Sequence, residues 1–289
     1  MNNKKQTFAL KGTICYSSSQ TELSVTERGY LVCEDGRCVG VFGEFPEKYA
    51  GIECTDFGDE LIIPGLTDLH LHAPQYTFRS SGMDLELLDW LNTYTFPQEA
   101  RYADIDFAKE AYSIFVEDMK KSPNTRACMF GTLHVPATEL LMEMLDKTGM
   151  KTMVGKVNMD RNGSLELQEE SAQASADATV QWIEDTLDKF ENVKPILTPR
   201  FTPSCSDELM EKLSEIQKKY HLPMQSHLSE NFGEIAWVKE LCPNTHFYGE
   251  AYSQFDLFGG DCPTIMAHCV HSSDEEIALM KKQGVFKNS

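Results

Sequence analysis

Two histidines, His70 and His72, stand two residues apart in the stretch 64–76, PGLTDLHLHAPQY. A Pro-Gly turn feeds an apolar run there, so the pattern predicts a strand, whose alternate side chains share a face. Both imidazoles then point the same way and can bind one metal ion without rearranging the chain. The plainer alternative is a pair of half-buried strand histidines. A second group, His227-Leu228-Ser229-Glu230, places a histidine at the end of another apolar run with a carboxylate three residues on. A metal such as zinc lowers the pKa of its water to roughly 7. A neighbouring carboxylate can collect that proton and deliver it to a ring and a leaving amine. The competing use of the same residues is helix capping, with Ser229 or Glu230 opening a helix at 231. His268, in MAHCVH, ends a further apolar run. His271 lies beyond that end and is expected to face solvent. His134 is expected to end a strand and line a pocket, while His221 and His246 fall in helix-end and loop contexts.

Three more residues suit a flat ligand. Arg200, in Thr198-Pro199-Arg200-Phe201, is a fixed cation with planar donors. Phe201 offers an aromatic face, and Gln75 can donate and accept at once. Together they describe a planar, oxo-bearing, hydrogen-bonding ring. For Arg200 a salt bridge to one of the many carboxylates is the alternative.

These residues need elements to hold them. Apolar strand candidates run 66–74, 126–135, 151–159, 193–201, 223–230 and 264–270, with helical stretches between them. Six βα units in series predict an α/β fold with a parallel sheet. The chemistry-capable residues fall at the C-terminal strand ends, which favours a barrel over an open sheet. Ser273 and Glu276 form a capping-box pattern, Gly284 ends that helix, and Val285-Phe286 begins a seventh strand. Residues 1–63 read instead as a small β domain, an incomplete sandwich with a turn at Asp35-Gly36, leaving 64–289 for the barrel.

Composition narrows the partners. The 289 residues carry a formal net charge of −19, which argues against nucleic-acid binding through a basic surface. Nine cysteines, an odd number with no CxxC pair, read as reduced thiols in a cytoplasmic protein. No run approaches a membrane span, and the N-terminus lacks a signal-peptide core.

The string HLHAPQY resembles the first-strand signature of the amidohydrolase superfamily, metal-dependent hydrolases on a TIM-type (β/α)8 barrel. With GKVNMDRN, TPRF, QSHLSEN and MAH, it is similar in particular to the guanine deaminase family. The resemblance implies one zinc ion on His70, His72, His227 and His268, with Glu230 as proton shuttle. It further implies guanine held by Gln75, Arg200 and Phe201, and hydrolysis to xanthine and ammonia. Binuclear relatives use a carboxylated lysine near strand four; Lys194 lies at the wrong end for that, so a single ion is expected. A homodimer is compatible with the resemblance. Other superfamily activities on an aromatic base or nucleoside, aminohydrolase or chlorohydrolase, are the alternatives, as is a non-catalytic metal-binding remnant. Family members carry an aspartate after strand eight that completes the metal site, whereas this sequence ends at strand seven. The expectation is a barrel cut short at about six βα units, with metal binding retained and catalysis impaired.

Overall fold

The computed structural model describes residues 6–288. The chain divides into two compact units, one ending at Leu66 and one starting at Thr67. The first is a four-stranded sheet of β1 (Thr7–Ser17), β2 (Leu23–Glu34), β3 (Arg37–Phe42) and β4 (Glu53–Ile62), in the order β3-β2-β1-β4. The β2–β3 hairpin turns on Asp35 and Gly36, with φ of 50° and 78°, as a two-residue loop with both central residues left-handed requires. β2 starts as early as Leu23 because LSVT finds ladder partners in Ser17–Ile14 of β1. Ala9, Val32 and Tyr49 form this unit's buried cluster.

The second unit alternates strands and helices. Its strands are β5 (Leu66–His72), β6 (Asn124–Phe130), β7 (Lys151–Gly155), β8 (Val157–Asn158), β9 (Val193–Pro195), β10 (Thr198–Pro199), β11 (Met224–Leu228), β12 (Thr264–His268) and β13 (Phe286–Asn288). β7 and β8 form one stave interrupted at Lys156, and β9 and β10 another. Seven staves thus follow in sequence order, through β5-β6-β7-β9, the β8–β10 pair, the Leu197–Met224 bridge and β11-β12-β13. The β6–β7, β7–β9, β8–β10, β11–β12 and β12–β13 pairs are parallel. A Cβ on Gly155 would stand 1.7 Å from Thr198 Oγ1, so only glycine lets the third and fourth staves close up where they break.

The helices bury one stripe each against the staves. Helix Ile105–Met119 buries Ala108, Ala111, Tyr112, Phe115, Val116 and Met119, a 3.6-residue recurrence, and Asp104 caps its first turn. Trp182, Leu141, Met142 and Leu213 are among the fully buried side chains of the shared core. Polar strand-end residues are therefore presented from a rigid, close-packed base. Among the described residues, no helix is long and apolar enough to cross a membrane.

Candidate active site

β5 ends on His70 and His72, whose ring centroids lie 5.1 Å apart. β11 supplies His227 and β12 ends on His268, in a register that sets Leu228 opposite His268. Ring nitrogens of His70, His227 and His268 all lie within 4.8 Å of one another. His72 joins them, its Nε2 standing 2.9 Å from His227 Nε2. Arg200 O accepts a hydrogen bond from His227 Nδ1 at 2.6 Å. Because a carbonyl only accepts, Nδ1 holds the proton and Nε2 keeps its lone pair. His72 Nδ1 is buried without a partner. Burial pushes His70 down to about 3, and His72 and His227 well below the usual range; His268 is lowered by the same cause. Four neutral imidazoles crowded on one point, with the Nε2 atoms of His72 and His227 only 2.9 Å apart, fit a bound divalent cation.

Glu230 stands beside this cluster, Oε2 lying 3.3 Å from His268 Nε2. Burial, and then the Glu234 carboxylate, raise its pKa to about 7. The helix Phe232–Leu241 is capped by Asn231, with Glu234 closing the capping box, so neither Ser229 nor Glu230 is used as a cap. Ser229 leaves the strand with φ 49°, and His268 and Cys269 leave theirs with φ 71° and 54°. Two adjacent staves therefore end in left-handed residues at the same place, a costly conformation that clusters at functional sites.

Opposite the histidines, Gln75 sits in the 3-10 turn Ala73–Phe78 and Arg200 and Phe201 follow β10. Leu87, Trp90 and Leu91 complete this side. The four histidines, Glu230, Gln75, Arg200 and Phe201 line one cavity of about 190 Å³. That is below the usual range for drug-sized ligands and suits a small planar one. Behind the lining lies Glu99, which sequence reasoning misses. Its carboxylate receives Arg200 Nη1 at 2.5 Å and Nη2 at 3.2 Å, and Gln75 Nε2 at 2.9 Å. Both Glu99 and Arg200 are only 2% exposed.

Residues 61–286 match the family model described as the amidohydrolase family. The chain belongs to this metal-dependent family. It is 44% identical to guanine deaminase of Dictyostelium discoideum over 229 residues, 79% of this chain and 50% of that protein. Against guanine deaminase of Mus musculus the identity is 42% over 226 residues, 78% of this chain and 49% of the relative. The chain thus spans about half the length of these curated relatives. A crystal structure of guanine deaminase from C. acetobutylicum with bound guanine in the active site superposes with a TM-score of 0.94. It shows 46% identity, over 98% of this chain and 67% of that one.

Two features of this amidohydrolase differ from the sequence expectation, the place of His134 and the capping box of Glu276. His134 does not end a strand: β6 stops at Phe130, and Thr138 Oγ1 donates to Thr132 O, folding 131–134 into the start of helix Val135–Asp146. His134 is absent from the cavity lining. His271 is exposed, as expected, and stacks on Phe232, centroids 3.9 Å apart, and the exposed His246 pairs with Glu250. Lys194 is spent on the carbonyls of Leu187 and Phe190. A different lysine, Lys156, is fully buried between β7 and β8 and paired with Glu169, whose other oxygen receives Met159 N–H. Glu276 makes only half of its capping box: Ser273 accepts from its N–H, but its carboxylate turns inward to take Ser229 Oγ–H and Gly249 N–H.

Proposed function

We propose that this amidohydrolase binds guanine and one zinc ion and carries out hydrolytic deamination of guanine to xanthine and ammonia. The observation that supports this reading is the convergence, in one small cavity, of four histidines, Glu230, Gln75, Arg200 and Phe201. The guanine deaminases it resembles extend the support to the substrate. His70, His72, His227 and His268 would hold the ion. When bound, zinc makes water acidic enough, with a pKa near roughly 7, to serve as a nucleophile at neutral pH.

The chain's own residues do the rest. Arg200 O locks His227 in the tautomer that offers Nε2. Glu230, at the boundary between the histidines and the ring-facing side, takes a proton at its carboxylate and returns it to the departing amino nitrogen. Phe201 stacks on the base, and Arg200 and Gln75 fix its polar edge. Leu87, Trp90 and Leu91 keep water from the rest of the ring.

The experiment uses the purified 289-residue chain loaded with zinc and offered guanine, adenine and cytosine. Guanine is expected to bind in preference to the other two bases and to be the base from which product forms, however slowly, with xanthine followed by chromatography beside a chelated control. No binding of guanine, or a preference for adenine or cytosine, overturns the assignment.

A further inference from the structure

Glu99 touches nothing in the cavity, yet it touches both polar residues that face the ring. It lies in the short helix Phe96–Ala100, one layer behind the lining. A carboxylate can only accept. Gln75 must therefore turn its NH2 group toward Glu99, which leaves the Gln75 carbonyl oxygen for the cavity. The same reasoning fixes the guanidinium. Of its five N–H bonds, two go to Glu99, and Nη1 also lies 3.9 Å from the Met159 sulfur. The Nε–H and the second Nη2–H remain, and they lie on one edge of the planar fork. Among the described residues nothing pairs with that edge or with Gln75 Oε1. Phe96 packs over the guanidinium, 5.1 Å from ring centroid to Cζ, and holds it against rotation.

We infer that Glu99 is a positioning residue that sets the polarity of the site, turning Gln75 outward as an acceptor and one edge of Arg200 outward as a donor, complementary to a lactam edge with N–H beside C=O. This inference rests on the reading of the cavity as the guanine site and adds the means of selection. Glu99 can do this because one carboxylate serves two partners. If residue 99 could also donate, Gln75 could face either way, and the site would accept an edge of either polarity.

The test compares hypoxanthine, which keeps the lactam edge, with purine, which lacks it. Neither carries the amino group that leaves, so both report equilibrium binding without turnover. Dissociation constants are measured by calorimetry on the zinc-loaded full chain, with zinc content of the same samples as the control for an intact histidine cluster. The unaltered chain should favour hypoxanthine by about tenfold or more, the cost of leaving buried polar groups unpaired. Glu99→Gln should bring the two ligands within about twofold at unchanged zinc content, since a glutamine can donate as well as accept. Glu99→Asp keeps an acceptor-only group and should restore the preference. An unaltered chain that binds neither ligand overturns the guanine reading and this inference together. An unaltered chain that binds both equally overturns the lactam assignment. A preference that persists in Glu99→Gln, or is lost in Glu99→Asp with zinc retained, overturns the role of Glu99 alone. Should Glu99→Gln fail to hold zinc, the Glu99→Asp comparison decides.

Discussion

The two sides of the cavity are held in place by different means. The histidine side is carried by strand ends and fixed by backbone: His227 is oriented by the Arg200 carbonyl, and its neighbours are placed by the parallel register of β11 and β12. The side opposite the histidines is carried by a 3-10 turn, short helical segments and the residues after β10, and is tied together by one buried side chain, Glu99. Arg200 belongs to both, its main chain to the first and its side chain to the second. A site whose geometry comes from the backbone tolerates most single changes around it. A site whose geometry comes from one carboxylate does not.

The largest effect should come from the histidine side itself. Replacing His227 and His268 together with alanine leaves His70 and His72, fewer than the three or four protein ligands zinc takes. Bound zinc is expected to fall to background by elemental analysis, while circular dichroism stays that of the unaltered chain, because β11 and β12 pair through main-chain groups. Zinc retained at full stoichiometry would break the comparison at its root, since the metal would then sit elsewhere.

The next effect tests the claim that one carboxylate holds the other side. Glu99→Ala leaves the Arg200 guanidinium buried without its counter-charge, a loss of about 3–5 kcal/mol in unfolding free energy. Replacing Glu99 and Arg200 together with methionine removes both charges and should recover most of that stability, as paired buried ions often do when exchanged for apolar groups. Urea unfolding of Glu99→Ala, and of Glu99→Met, Arg200→Met and their double variant, measures the loss and closes the cycle. A Glu99→Ala loss below about 1 kcal/mol, the range of an exposed ion pair, would mean that the side opposite the histidines is held by something other than this pair.

The same contrast explains what could be read from the sequence. The histidine side was legible because alternation of strand and helix locates strand ends, and H-x-H on a strand needs no knowledge of distant partners. Gln75, Arg200 and Phe201 were legible as chemistry, each chosen for what its own atoms can do. Glu99 was not. It precedes Arg200 by 101 residues, in a run of short helices with no periodicity to mark a buried face, and it is one of 45 acidic residues. The available signal was indirect: a buried arginine needs a counter-charge, and that need names no partner. Lys156 poses the same problem, a lysine inside an apolar stave whose carboxylate could have been Glu166, Glu169 or Glu170. Glu276 misled in the opposite way, since local spacing assigned its carboxylate to a cap that a tertiary contact with Ser229 displaced. Period and capping rules describe neighbours along the chain; the choice among many acids is made by tertiary packing.

The smallest effect should come from the join between the two sides, at Asn231. Its Oδ1 accepts from Gly233 N–H and caps the helix behind Glu230, while its Nδ2 donates to Glu86 Oε2 at 2.8 Å. Glu86 precedes the segment that brings Leu87, Trp90 and Leu91 to the cavity. Asn231→Ala loses both functions and should cost about 1 kcal/mol, typical of an N-cap. For a unit of this size that is a fall in melting temperature of about 2–4 °C. Asn231→Asp separates the two functions. It caps as well as asparagine does, but it cannot donate to Glu86 and sets a second carboxylate against it. Thermal stability should then lie between the unaltered chain and Asn231→Ala. Hydrogen exchange should quicken at residues 87–95 in both variants, because both lose the Glu86 contact. At residues 232–236 it should quicken only in Asn231→Ala, because only there is the cap gone. Equal exchange in the two variants at both places would show that the helix cap and the Glu86 contact are one cooperative unit, and that the two sides of the cavity are coupled through Asn231 as well as through Arg200.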